Sequence, residues 1–127
     1  RKESSAASDV YKRQHEFIPA PAQGALAVEC RVDDAAGREA IAKLIDDTAT
    51  VEARAERTVL AVLEAGCTAP VAATARATEN GIELRAGVFA LDGSRSLVED
   101  VQGGDPEEIG RRAAEALLER GAADVMK

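Results

Sequence analysis

Two tight-turn signals, Asn80-Gly81 and Asp92-Gly93, do most to limit what this chain can become. Such pairs between runs of alternating polarity favour hairpins, because their residues tolerate the left-handed backbone that short turns require. Residues 71–78 alternate small apolar and polar side chains. Residues 82–91 set Ile82, Leu84 and Ala86 against Glu83 and Arg85, and residues 96–101 follow the second turn. Three consecutive strands joined this way make an antiparallel meander, one face of which needs a cover of helices.

Helical patterns stand on both sides of the meander. Asp33-Asp34 opens a region in which Ile41, Leu44 and Ile45 share one apolar face. Asp46-Asp47-Thr48 ends it and caps a second helix. There Val51, Ala55, Val59 and Val62 form a stripe, with Glu52, Arg54, Glu56 and Arg57 on the surface. Gly66 is expected to stop that helix, since glycine takes the left-handed conformation freely. After the strands, Gly103-Gly104 makes a hinge, and Asp105, Pro106 and Glu108 supply an N-cap, a first-turn proline and an N3 glutamate. Ile109, Ala113, Ala116 and Leu117 form the stripe of the closing helix, which Gly121 stops. The expected fold class is α+β: a three-stranded antiparallel sheet covered by about three helices.

Two segments fall outside that unit. Residues 1–14 have no apolar period and look like translated adaptor sequence, so they read as disordered and foreign. Residues 15–33 hold a proline-rich entry, Gln23-Gly24, and an apolar run at 25–28 bounded by Gly24 and by Glu29-Cys30-Arg31. The run reads as a strand buried on both faces. It has no parallel-type neighbour in the sequence, so it is assigned to the end of a preceding domain missing here. Residues 34–127 are the α+β domain itself.

Composition narrows the function. With 127 residues there is room for one small core. Aromatic residues are 2% of the chain, so Ala, Val, Leu and Ile must build that core. The net charge of −7 and the lack of a basic cluster argue against nucleic acid as a partner. No apolar run approaches the roughly 20 residues of a membrane span. Two cysteines far apart make no secreted disulfide framework, which leaves a reducing cytoplasm as the expected location. His15 has no neighbouring ligand for a metal. Asp33-Asp34 and Asp46-Asp47 read as helix caps, and no glycine-rich phosphate loop or Cys-x-x-Cys is present.

Chemistry concentrates at Leu63-Glu-Ala-Gly-Cys-Thr-Ala-Pro70. Cys67 sits on a short turn between a helix and a strand that Pro70 opens, which suits a covalent attachment point. The negative end of a helix disfavours a thiolate, so a nucleophilic role needs a cation or substrate nearby. Two other readings stand beside this one: a core thiol in a non-enzymatic α+β interaction module, or a redox thiol with no resolving cysteine close in sequence. Cys30, closing the apolar run, reads as a free structural thiol.

Ile18-Pro-Ala-Pro-Ala-Gln-Gly-Ala-Leu-Ala-Val-Glu-Cys-Arg31, then Ala55-Glu-Arg57, then the Cys67 segment resemble the C-terminal part of the porphobilinogen deaminase (hydroxymethylbilane synthase) family. The resemblance runs from about Phe17 to the end. Two departures are visible: Ala22 where the family usually has Gly before Gln-Gly, and Ala65 where it usually has the first Gly of Gly-Gly-Cys. The resemblance implies a cytoplasmic, monomeric, three-domain transferase that condenses four porphobilinogen units into hydroxymethylbilane with release of ammonia. It implies that Cys67 anchors a dipyrromethane cofactor by a thioether, and that Gln23 and Gly24 line the cleft. Arg31 is a candidate for gripping pyrrole carboxylates. The catalytic aspartate of the family has no counterpart here, so the chain alone is expected to be inactive, with its missing N-terminal domains as partners.

Overall fold

The meander forms as the turn pairs dictate. In the computed structural model, which describes residues 17–66 and 68–127, the strands are β1 (Val71–Thr78), β2 (Gly81–Phe89) and β3 (Ser96–Gly103). They pair antiparallel in the order β1-β2-β3, with Ala75 opposite Leu84 and Leu84 opposite Val101. Gly81 has φ +118°, and a Cβ there would stand 2.6 Å from the Gly103 carbonyl oxygen, so the first turn admits only glycine. The expectations for residues 1–14, His15 and Cys67 lie outside the described residues.

Aspartates start the longer helices. Asp34 accepts the Gly37 N–H at 2.8 Å ahead of α1 (Ala35–Ala42), and Asp46 accepts the Ala49 N–H at 2.9 Å ahead of α2 (Asp47–Val62). Asp105 accepts the Glu108 N–H at 2.7 Å ahead of α3 (Pro106–Glu119), with Pro106 in the first turn. Gly121, at φ +91°, ends α3 as expected and leads into the short α4 (Ala122–Val125).

The core lies between one sheet face and the α2–α3 pair. Val71, Ala73, Ala75, Ile82, Leu84, Ala86, Val88 and Leu97 meet Ala55 and Val59 of α2 and Ile109, Ala113, Ala114 and Leu117 of α3. With almost no aromatic volume available, the layers must approach closely to fill space. Gly110 is where the helices touch: a Cβ there would stand 2.6 Å from both the Ala55 carbonyl oxygen and the Thr58 Cβ.

Several expectations need correction. The helix before the Cys67 turn is not stopped by Gly66. α2 ends at Val62, and Glu64 takes the left-handed conformation at φ +51°. The Ala65 N–H reaches back to the Leu60 carbonyl at 3.0 Å and the Glu64 N–H to Ala61 at 3.3 Å, the paired bonds of a Schellman ending. Ile41, Leu44 and Ile45 do not form a buried face either. α1 buries no residue, and Leu44 and Ile45 stay exposed beyond its end, because among the described residues no other element lies over them. Ala114, not Ala116, joins the fully buried stripe of α3. Glu56, expected on the surface, is buried.

Residues 25–31 form no strand and are exposed, including Leu26 and Val28. A strand needs a ladder partner for its amides and carbonyls, and none of the three strands offers them one. Cys30 is exposed and free, so within this chain it has no packing role.

Candidate functional site

β1 is an edge strand, and the amides on its open side would be bare without help. Three of them are taken. The Ala73 N–H donates to the Pro19 carbonyl at 3.0 Å, the Ala75 N–H to Glu56 Oε1 at 2.6 Å, and the Ala77 N–H to Glu52 Oε1 at 2.9 Å. Glu52 and Glu56 are one turn apart on α2, so they reach neighbouring points of the same edge. The other edge is covered in the opposite sense. Arg120 on the C-terminal side of α3 donates to the Val98 carbonyl at 2.8 Å and pairs with Glu99.

Glu56 does more than cover an edge. Its Oε2 accepts the Ala22 N–H at 2.6 Å, so one carboxylate joins α2, β1 and the turn at residues 19–24. Ala22 has φ +58°, a conformation that carries strain for a residue with a Cβ. Burial pushes the Glu56 carboxyl above its ordinary value. The Ala75 and Ala22 amide bonds pull it back, and nearby Glu52 adds to the rise.

Gln23 and Gly24 sit on the exposed side of this turn. The Gln23 Oε1 accepts the Ala20 N–H at 3.3 Å, and the Gln23 N–H donates to the Ala20 carbonyl at 3.1 Å. The side-chain oxygen is thus engaged in its own turn. Gly24 has φ +86°, and its Cα faces open space. Gln23 lines a shallow groove with Glu56, Arg76 and Arg85. Arg31 does not line it; it is exposed and makes no ion pair among the described residues.

From sequence the two arginines of the groove carry no assigned role, and Glu56, although within the Ala55-Glu-Arg57 motif, reads as a surface residue. Arg85 pairs with Asp100 at 3.3 Å across β2 and β3, while its Nε is buried without a partner. The signal for Glu56 was its place beside Ala55 at the margin of the α2 stripe. A glutamate there reads as solvated unless the edge strand and entry turn are known to lie over it.

Cys67 lies outside the described residues, but its flanks are defined. The Ala69 N–H donates to the Gly66 carbonyl at 3.0 Å, and the Pro70 carbonyl accepts the Phe89 N–H at 3.0 Å. Gly66 and Thr68 are exposed, and a Cβ on Gly66 would meet nothing within 4 Å. Among the described residues no His, Cys, Asp or Glu cluster could hold a metal ion, and no helix is long and apolar enough to cross a membrane.

Comparison with known proteins bears on the same region. The family described as "Porphobilinogen deaminase, C-terminal domain" matches residues 50–119, from the start of α2 to the end of α3. The chain is 54% identical over 112 residues to a porphobilinogen deaminase of Corynebacterium aurimucosum, covering 87% of this chain and 38% of that protein. It is 48% identical to one of Corynebacterium diphtheriae over 94% of this chain and 41% of the relative. A porphobilinogen deaminase of Geobacillus kaustophilus is 45% identical over 83% of this chain and 34% of its own length. The chain thus spans well under half the length of these relatives. With a match across more than half of its residues, the chain belongs to the porphobilinogen deaminase C-terminal domain family.

Proposed function

We propose that this chain is the C-terminal, anchor-bearing part of a cytoplasmic, monomeric porphobilinogen deaminase, a transferase that joins four porphobilinogen units head to tail into hydroxymethylbilane for tetrapyrrole synthesis. The observation that carries this reading is the 54% identity over 112 residues to a protein of that name. Domain division follows the same reading: residues 15–33 return from a preceding catalytic domain, residues 34–127 form the anchoring domain, and residues 1–14 are foreign. Neither nucleic acid nor membrane is a partner.

In this reading Cys67 holds dipyrromethane through a thioether, and the bound group supplies the two-pyrrole primer on which the product is built. A thioether resists hydrolysis, so the anchor outlasts many turnovers. Tethering also holds the growing product at high effective concentration near the chemistry. The chain contributes rigidity on both sides of the thiol. α2 ends in a closed Schellman turn at Glu64, and β1 begins at Val71 beside β2. Gln23 and Gly24 line the cleft, and Arg31, free of ion pairs within the described chain, is offered to pyrrole carboxylates. The aspartate that activates substrate in this family belongs to the N-terminal domains, so the chain alone has no activity.

Turnover tests the reading. The longer protein should convert porphobilinogen to a tetrapyrrole, its Cys67→Ser variant should not, and the 127-residue chain should give no more than a blank. Full activity of the Cys67→Ser variant would refute it.

A further inference from the structure

The entry turn at residues 19–24 is bound to the α+β unit by little: the Ala73 amide on the Pro19 carbonyl, and the Ala22 amide on Glu56. The second contact is unusual in two ways. It falls on Ala22, whose left-handed backbone persists only if its surroundings hold it there. Its acceptor is a buried carboxylate whose other oxygen is fixed by the Ala75 amide of β1. An ionised carboxylate can satisfy two amide donors at once, whereas an amide side chain has one oxygen for the pair.

We infer that Glu56 is a positioning residue that pins the Gln23–Gly24 turn to the edge of β1, fixing where these two residues stand relative to the unit that carries Cys67. The inference rests on the reading that Gln23 and Gly24 line the cleft. The turn then cannot shift independently of α2 and the edge of β1, and the cleft wall moves with that unit when domains adjust. Of the charged groups that line the same groove as Glu56, namely Glu52 on α2, Arg76 on β1, Glu83 and Arg85 on β2 and Asp100 on β3, Glu52 is the one whose charge acts on it, and residues 17–24 carry none. α3 meets α2 through Gly110 against Ala55 and Thr58.

Amide exchange and NMR titration of the 127-residue chain test the pin directly. In Glu56→Gln the single oxygen stays with Ala75, in the regular strand, and the Ala22 amide exchanges faster by about tenfold, the worth of one charge-assisted bond. Val88 and Leu117 keep their rates. In the unaltered chain the Ala22 and Ala75 amide signals move with pH on one shared midpoint, and in the variant neither moves. Unchanged exchange at Ala22 overturns the inference, as does equal acceleration at Val88 and Leu117, which would mark a merely structural residue. In the longer enzyme Glu56→Gln lowers kcat with KM little changed, because alignment is lost and binding is not. If Gln23→Ala leaves that enzyme fully active, the cleft reading falls and takes the catalytic relevance of Glu56 with it, whatever the exchange rates show.

Discussion

Glu56 Oε1 accepts the Ala75 N–H at 2.6 Å, so a carboxylate on α2 closes the open edge of β1 from inside the fold. The charge is taken out of water to do this, and the pH dependence of stability carries its mark. Burial raises the folded-state pKa of Glu56 above the ordinary value of 4.5. The native state therefore binds that proton more tightly than the unfolded chain, and stability falls as pH rises through the window between the two values. Thermal unfolding of the chain and of Glu56→Gln should be compared from about pH 4 to about pH 8, a range that spans that window. The stability of the unaltered chain relative to the variant should increase as pH is lowered. Asp92 and Asp124, both held below the usual carboxylate range by hydrogen bonds to Ser94 and Lys127, act in the opposite direction but cancel in the difference. A difference that shrinks on acidification would contradict the assignment.

Glu64 occupies a position made for glycine. Its φ of +51° at the end of α2 places a Cβ where the left-handed backbone disfavours one. Glu64→Gly should raise stability by about 1 kcal/mol, read from urea unfolding. A loss of stability would show that the exposed glutamate side chain contributes more than the strain removes.

Close packing at Gly110 predicts the reverse. An alanine methyl would press on the Ala55 carbonyl and Thr58, both 2.6 Å from the Cβ position, and would force α2 from α3. Gly110→Ala should destabilise by about 1–3 kcal/mol. Gly104→Ala, where a Cβ meets nothing within 4 Å, is the control and should be near neutral. Equal effects from the two would mean that the helices can separate freely.

The strands and α3 were legible because their signals are local. Asn80-Gly81, Asp92-Gly93 and Asp105-Pro106 act within a few residues of themselves, and each marks a boundary close to the one observed. The errors arose where a distant element decides. Leu44 and Ile45 look like a buried face, yet no element among the described residues covers them. Glu56 looks solvated, yet the entry turn, 34 residues away in sequence, covers it. The helix stop is the exception, a local one: glycine's preference pointed to Gly66, but the Schellman bonds close two residues earlier, at Glu64. The candidate site divides the same way: the reading of Cys67 rests on its motif alone, while the groove arginines Arg76 and Arg85 come together with Gln23 only through the fold.

Intact-mass analysis of the longer protein tests most directly whether Cys67 is the anchor. The unaltered protein and its Cys30→Ala variant should each carry a covalent two-pyrrole adduct, since Cys30 is exposed and takes no part in the core. The Cys67→Ser variant should lack the thioether-linked adduct, because a hydroxyl is a far poorer nucleophile than a thiol. An adduct that persists in Cys67→Ser, or that disappears from Cys30→Ala, would contradict the account.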